Sequence, residues 1–160
     1  MVVLTLFFFS MSIKPVLTSL EDFENYLSGS KGKEAVEGLF FYIEIIEKEF
    51  ERVEKAFPLT LTDEAKQRFI DLEEIKIDLK RYILESGLML DFEGEDWLEG
   101  KEMLEGIRPL GKVSPIKASK LLSMIMKKDV SDFGYYEQNL KKGTILIFLK
   151  SIYGREIKES

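Results

Sequence analysis

Between Val36 and Phe57 the apolar residues Val36, Leu39, Ile43, Ile46, Phe50, Val53 and Phe57 recur at alternating spacings of three and four. No strand accommodates that period, because side chains alternate faces every two residues there. The spacing specifies an amphipathic helix of about three heptads, over residues 33–57. Glu44 with Lys48 and Glu51 with Lys55 add i,i+4 pairs in the favourable order. Pro58 ends the pattern. The first half of this helix (Leu39 to Tyr42, Ile43, Ile45, Ile46) is apolar almost all round. Such a helix needs partners on two sides, either deep burial or a subunit interface.

A second arm is expected at 62–86. Thr62 caps it, Asp63 and Glu64 complement the dipole of the first turn, and Gly87 suits the position just past its end. Ala65, Phe69, Leu72, Leu79 and Ile83 form one stripe, and Ile70, Ile77 and Leu84 a second. A link of about five residues makes the two arms an antiparallel hairpin.

Shorter elements flank this pair. Residues 19–27, capped by Ser19, share Leu20, Phe23 and Leu27 on one face, and Ser28 to Gly32 reads as a turn or joint. Trp97, Leu98, Met103 and Leu104 mark a short helix in an acidic stretch, 91–105, that holds seven carboxylates against Lys101; residues 106–114 read as a loop. Ser114-Pro115 opens a helix to about Lys128, with Leu121, Leu122, Ile125 and Met126 apolar. A further helix at 132–142 is capped by Ser131 and stopped by Gly143. The run Ile145–Leu149 fits a buried strand or helix, and Thr144 as cap with Gly154 as stop favours helix. The expected fold is all-α: an irregular helical bundle forming one domain over 1–160, built on the hairpin. A short strand is the alternative at 2–9 or 144–150.

The run Val2–Phe9 precedes the first basic residue, Lys14, and no Ala-x-Ala site follows, so it lacks the order of a signal peptide. It reads as a buried strand, or as an extension ahead of an internal start at Met11. No stretch reaches the roughly 18 apolar residues of a spanning helix, so no membrane association is expected, and the expected compartment is the cytoplasm. Asn and Gln are confined to Asn25, Asn139, Gln67 and Gln138, while Glu and Lys abound, the composition of a thermophilic protein.

The 160 residues contain no Cys and no His. That removes disulfides, thiolate nucleophiles, Ser–His–Asp catalysis, and imidazole or thiolate metal sites. A general base is confined to a carboxylate, Lys or Tyr. Four local patterns are better explained structurally. Lys31-Gly-Lys33 lacks the leading Gly and trailing hydroxyl of a phosphate-binding loop. Ser114-x-x-Lys117 lacks the companion motifs of serine acyltransferases. Asp91, Glu93, Glu95 and Glu102 match a calcium loop whose turn Gly is displaced. The acid pairs Glu44/Glu47 and Asp71/Glu74, with Asp78, resemble helical Mg²⁺-binding pairs by analogy only, and such pairs commonly face water. No metal and no cofactor is expected.

Charge is uneven. Residues 112–160 hold 10 basic and 5 acidic side chains, while 1–111 hold 13 and 24. Lys117, Lys120, Lys127 and Lys128 fall on one side of their helix, and Lys141 and Lys142 follow on the next. Two readings follow. The lysines are either a nucleic-acid face, with Phe133, Tyr135 and Tyr136 as stacking rings, or a solvated face steered against the protein's own acidic part. A pI near 4.9 and the presence of a single Arg, Arg155, among the basic residues of 112–160 favour the second. The leading functional expectation is a non-enzymatic interaction or scaffold protein that self-associates or binds a protein partner through Phe40, Phe41 and Ile45. Nucleic-acid binding is the alternative, and a Mg²⁺-dependent nucleotide phosphohydrolase the third.

Overall fold

The computed structural model describes residues 20–57, 59–90 and 97–157. The runs at 2–9 and 91–96, the cap at Ser19 and the stop at Pro58 lie outside them. Among the described residues there are eight helices and no strand: α1 Leu20–Ser28, α2 Ser30–Ala56, α3 Asp63–Gln67, α4 Lys76–Glu85, α5 Leu98–Leu104, α6 Pro115–Ser131, α7 Tyr135–Lys141 and α8 Thr144–Ile157. The all-α expectation holds, and residues 144–150 are helical. One cluster of buried side chains draws on every helix except α3, whose buried residue is Lys66.

α2 is the longest element, and its stripe buries as the spacing requires: Val36, Leu39, Ile43, Ile46 and Val53 lie in the core. It starts earlier than expected. The supposed joint at Ser28–Gly32 shrinks to Gly29, and Gly32 is buried in the first turn of α2. A Cβ there would sit 1.8 Å from the carbonyl oxygen of Tyr26, so Gly32 provides the close approach of α1 to α2 rather than flexibility.

The second arm runs antiparallel to α2, as expected. Tyr82 donates to the Ala35 carbonyl, Tyr42 to Asp78, and Lys66 pairs with Glu54. Its helix, however, is broken between α3 and α4. Ile70, Leu72 and Ile75 are all buried. In a helix, residues two apart point roughly 200° away from each other, so Ile70 and Leu72 would not both reach the core. An irregular turn lets them. Phe69 and Ile77, assigned to the two stripes, are exposed.

α8 runs antiparallel along the other side of α2, with Phe40 against Tyr153 and Lys150 bonded to Glu47. It also packs on α6. Three terminal signals worked differently than expected. Thr144 lies inside α8 rather than capping it, behind Gly143 at φ 89°, and the helix continues past Gly154 to Ile157. Ser131 does not cap α7; its hydroxyl donates to the Lys128 carbonyl at 3.3 Å. It is the last residue of α6, and α7 begins after Gly134, whose φ of 96° suits only glycine without strain. The cap of α7 comes from Asp129, whose carboxylate accepts the Tyr136 amide at 2.8 Å. Phe133, one of the candidate stacking rings, sits in the turn before α7 and is 97% exposed. Ser114 and Thr62 cap α6 and α3 as expected.

Candidate functional site

The apolar residues singled out on α2 do not share one face. Successive helical residues point about 100° apart. Phe40 leans toward α8, its ring 5.5 Å from that of Tyr153. Phe41 leans toward the α4 side, edge-on to Tyr42 at 5.2 Å. Ile45 is half-buried against the core. Phe40 stays 45% exposed and Phe41 58%.

Between them runs a feature hidden by the inward stripe. Glu37, Phe41, Glu44, Lys48, Glu51 and Lys55 recur at spacings of four and three, and all six are exposed. Lys55 bonds Glu51 at 3.1 Å. Glu37, Glu44 and Lys48 have no partner among the described residues, although Glu44 and Lys48 have the spacing of an ion pair. The outward face of α2 is therefore a second heptad-like stripe, acidic in its first half and carrying both of its lysines in its second.

The candidate lysines are largely engaged. Lys117 binds Glu99 at 3.1 Å, and its bond holds the Glu99 carboxyl below its ordinary value. Lys120 lies over Trp97, Lys128 over Tyr135, and Lys141 reaches Glu137 at 3.6 Å. Lys127 is exposed but also engaged, and Lys142 is exposed at the end of α7. Lys117, Lys120, Lys127 and Lys128 stay on α6, while Lys141 and Lys142 turn to a groove against α3. Tyr136 is buried and donates to the Lys76 carbonyl, so it is no stacking ring.

The acid pairs disperse as well. Glu47 binds Lys150, Asp78 accepts from Tyr42, and Asp71 uses its backbone amide on Glu49. Among the described residues, no three carboxylates come close enough to hold a metal ion. Of the calcium-loop match, Glu102 is described and binds Arg108. Ser114 is a helix cap and Lys117 is paired, so the S-x-x-K pattern has no activated hydroxyl.

The most constrained charge is Asp129, which sequence reasoning missed. It is buried, its second oxygen 2.5 Å from Lys80. Burial pushes its carboxyl up, but the Lys80 bond and the amides at the start of α7 outweigh it, and the net shift is downward. Tyr42 moves the other way: burial and its bond to Asp78 raise it to about 12. Both serve the packing of α2, α4, α6 and α7. The Asp129-to-Tyr136 step follows no standard capping pattern, so spacing alone gave no sign of it.

No helix among the described residues is long and apolar enough to cross a membrane. The chain matches no protein-family model, no curated protein and no solved structure.

Proposed function

We propose that this chain is a helical interaction protein that associates with a second copy of itself through the outward face of α2. The observation that carries this is the exposed stripe Glu37–Phe41–Glu44–Lys48–Glu51–Lys55. Its charges are self-complementary in one orientation. An antiparallel pair of α2 helices related by a two-fold axis near Ile46 sets Glu44 opposite Lys48 of the second copy and Glu37 opposite Lys55. Phe41 then covers the stem of Glu51. A parallel pair would face like charges with like. Such a two-fold contact uses the same patch twice, the commonest form of self-association. Phe40 and Tyr153 add an apolar rim on one side. Because the stripe is mostly charged, the association is expected to weaken with salt.

Sedimentation velocity across a concentration series tests this. The wild type should shift from monomer to dimer. Lys48→Glu should keep it monomeric, and adding Glu44→Lys to Lys48→Glu should restore the dimer by exchanging the two charges. A strict monomer up to millimolar concentration sinks the self-association reading. So does a dimer that ignores both the single and the double change.

The nucleic-acid reading has less behind it, since four of its six lysines lie against carboxylates or rings of the chain itself. It would regain the lead if duplex DNA bound with an affinity falling by roughly 0.9 log unit per log unit of salt for each phosphate contacted.

A further inference from the structure

The end of α7 faces α3 across a groove of about 360 Å³ lined by Glu64, Gln67, Arg68, Gln138, Lys141 and Lys142. A second hollow of about 410 Å³ shares Gln67, Lys141 and Lys142 and adds an apolar floor of Phe50, Val53 and Ile70. Both volumes lie in the range of small-molecule sites. Three observations set this region apart from the rest of the surface.

First, cations gather here with few counter-charges. Lys76, Lys80, Lys117 and Lys150 each meet a carboxylate within 3.1 Å, and Lys31, Lys33 and Lys48, which have no side-chain partner among the described residues, line neither hollow. Around the groove, Arg68 and Lys142 have no side-chain partner among the described residues. Lys141 keeps only a long contact of 3.6 Å to Glu137, which lies closer to Lys76 at 3.1 Å. Two of the acids nearby are already occupied: Glu54 by Lys66, and Glu51 by Lys55. Asp63 and Glu64 remain to face the three cations.

Second, Gln67 and Gln138, the chain's two glutamines, both line this groove. Each offers amide N–H donors as well as an oxygen. Third, the groove is divided by chemistry. Arg68 lines the first hollow, the half-buried ring of Phe50 and the side chains of Val53 and Ile70 line the second, and Lys141 and Lys142 line both.

We propose that this groove binds a nucleoside phosphate. The phosphates would be held by the fork of Arg68 and the ammonium groups of Lys141 and Lys142, with the glutamine amides donating to their oxygens. The base would lie against Phe50 and Ile70, and Asp63 would accept from a sugar hydroxyl or an exocyclic amine. The site borders the outward stripe of α2 at Glu51, which lines the second hollow, but its cations lie off that stripe and the proposal does not rest on self-association.

Isothermal titration of the whole chain with pyrophosphate, adenosine and adenosine diphosphate tests it. The diphosphate should bind more tightly than either part alone. Arg68→Gln with Lys142→Gln should weaken it by at least about tenfold, the loss of one charge-assisted hydrogen bond. Lys31→Gln with Lys33→Gln, a charge change of equal size at the start of α2, should leave the affinity unchanged. All four side chains are exposed, and the circular dichroism of both variants should match the wild type. No heat with any of the three probes at millimolar concentration overturns the proposal. Equal affinity for pyrophosphate and adenosine diphosphate removes the role of the Phe50 compartment and overturns the nucleoside assignment. Equal loss in both double variants reduces the groove to general charge and also overturns it.

Discussion

Residues 33–57 and 62–86 carry much the same evidence for a helix, yet one forms a single α2 of 27 residues and the other splits into α3 and α4. In α2 the buried positions keep one period throughout. In the second arm, Ile70 and Leu72 are both drawn inward. The teaching is that a stripe of apolar residues licenses a helix only when all the residues the core demands lie on it. Where two stripes overlap out of phase, the core takes residues from both and the backbone gives way.

A broken helix leaves backbone groups without their intrahelical partners, and these must be met elsewhere. The intact arm meets them. Glu49 on α2 accepts the amide of Asp71 at 2.7 Å, and Arg52 donates to the carbonyl of Phe69 at 3.1 Å. Arg52 also holds Glu49 through two bonds, at 2.9 and 2.7 Å. The two arms are therefore not equivalent: one is a regular rod, and the other is shaped around it.

The largest test of this contrast compares Leu39→Ala in the rod with Leu72→Ala in the break. Both side chains are buried, at 0% and 4% exposure. Each truncation should cost about 2–5 kcal/mol in urea unfolding, the range for fully buried leucines. A loss of less than about 0.5 kcal/mol for Leu72 would make the break an ordinary surface connector and undo the explanation.

A smaller effect is expected at Glu49, the side chain joining the arms. Glu49→Ala should cost about 1.5–3 kcal/mol, the usual worth of hydrogen bonds to a charged group, and the lower end applies because Arg52 is half exposed. The pH dependence has a definite sign. The Arg52 bond and the Asp71 amide hold the Glu49 carboxyl below 4.5, against the opposing pull of burial. The unfolded chain thus takes up the proton first as pH falls. The stabilisation is present above about 4.5 and is lost as pH drops through the folded value. Unfolding of the wild type and of Glu49→Gln at pH 7 and pH 3 should show a gap at the higher pH that narrows at the lower. A constant gap would mean that the charge of Glu49 contributes nothing.

The fold class was legible because the inward stripes of α2 and α6, and the α8 run apart from Ile147, are buried largely as their spacing requires. Caps at Thr62 and Ser114 were legible because they are local: the side chain and the amide it bonds are three residues apart. What spacing hid was non-local. The cap of α7 comes from Asp129 on α6, and the extended segment at Leu88 and Leu90 is pinned by the buried hydroxyl of Ser119. For the same reason the lysines of 112–160 looked like a basic face. Their counter-charges and rings, Glu99, Trp97 and Tyr135, sit on other elements or beyond a turn. Phe40 and Phe41 were visible as surplus apolar residues, but their separation by one helical step, toward α8 and toward α4, needed the neighbours in place.

The smallest expected effect concerns two outward phenylalanines, one from each arm. Phe69, on the broken arm, is 45% exposed yet stacked on Phe57, with ring centroids 4.2 Å apart. Its truncation to Ala should cost about 1 kcal/mol, of which the ring pair supplies a good part. Phe41, on the rod, touches Tyr42 edge-on and is otherwise open to water. Phe41→Ala should change unfolding by less than about 0.5 kcal/mol in dilute protein, where chains are monomeric. If the proposed self-association holds, the same substitution should cost more at high protein concentration, because binding to the folded state alone adds stability by mass action. A Phe41 effect as large as that of Phe69 in dilute solution would place Phe41 in the monomer's own packing. The outward stripe would then have no apolar residue to spare for a second copy.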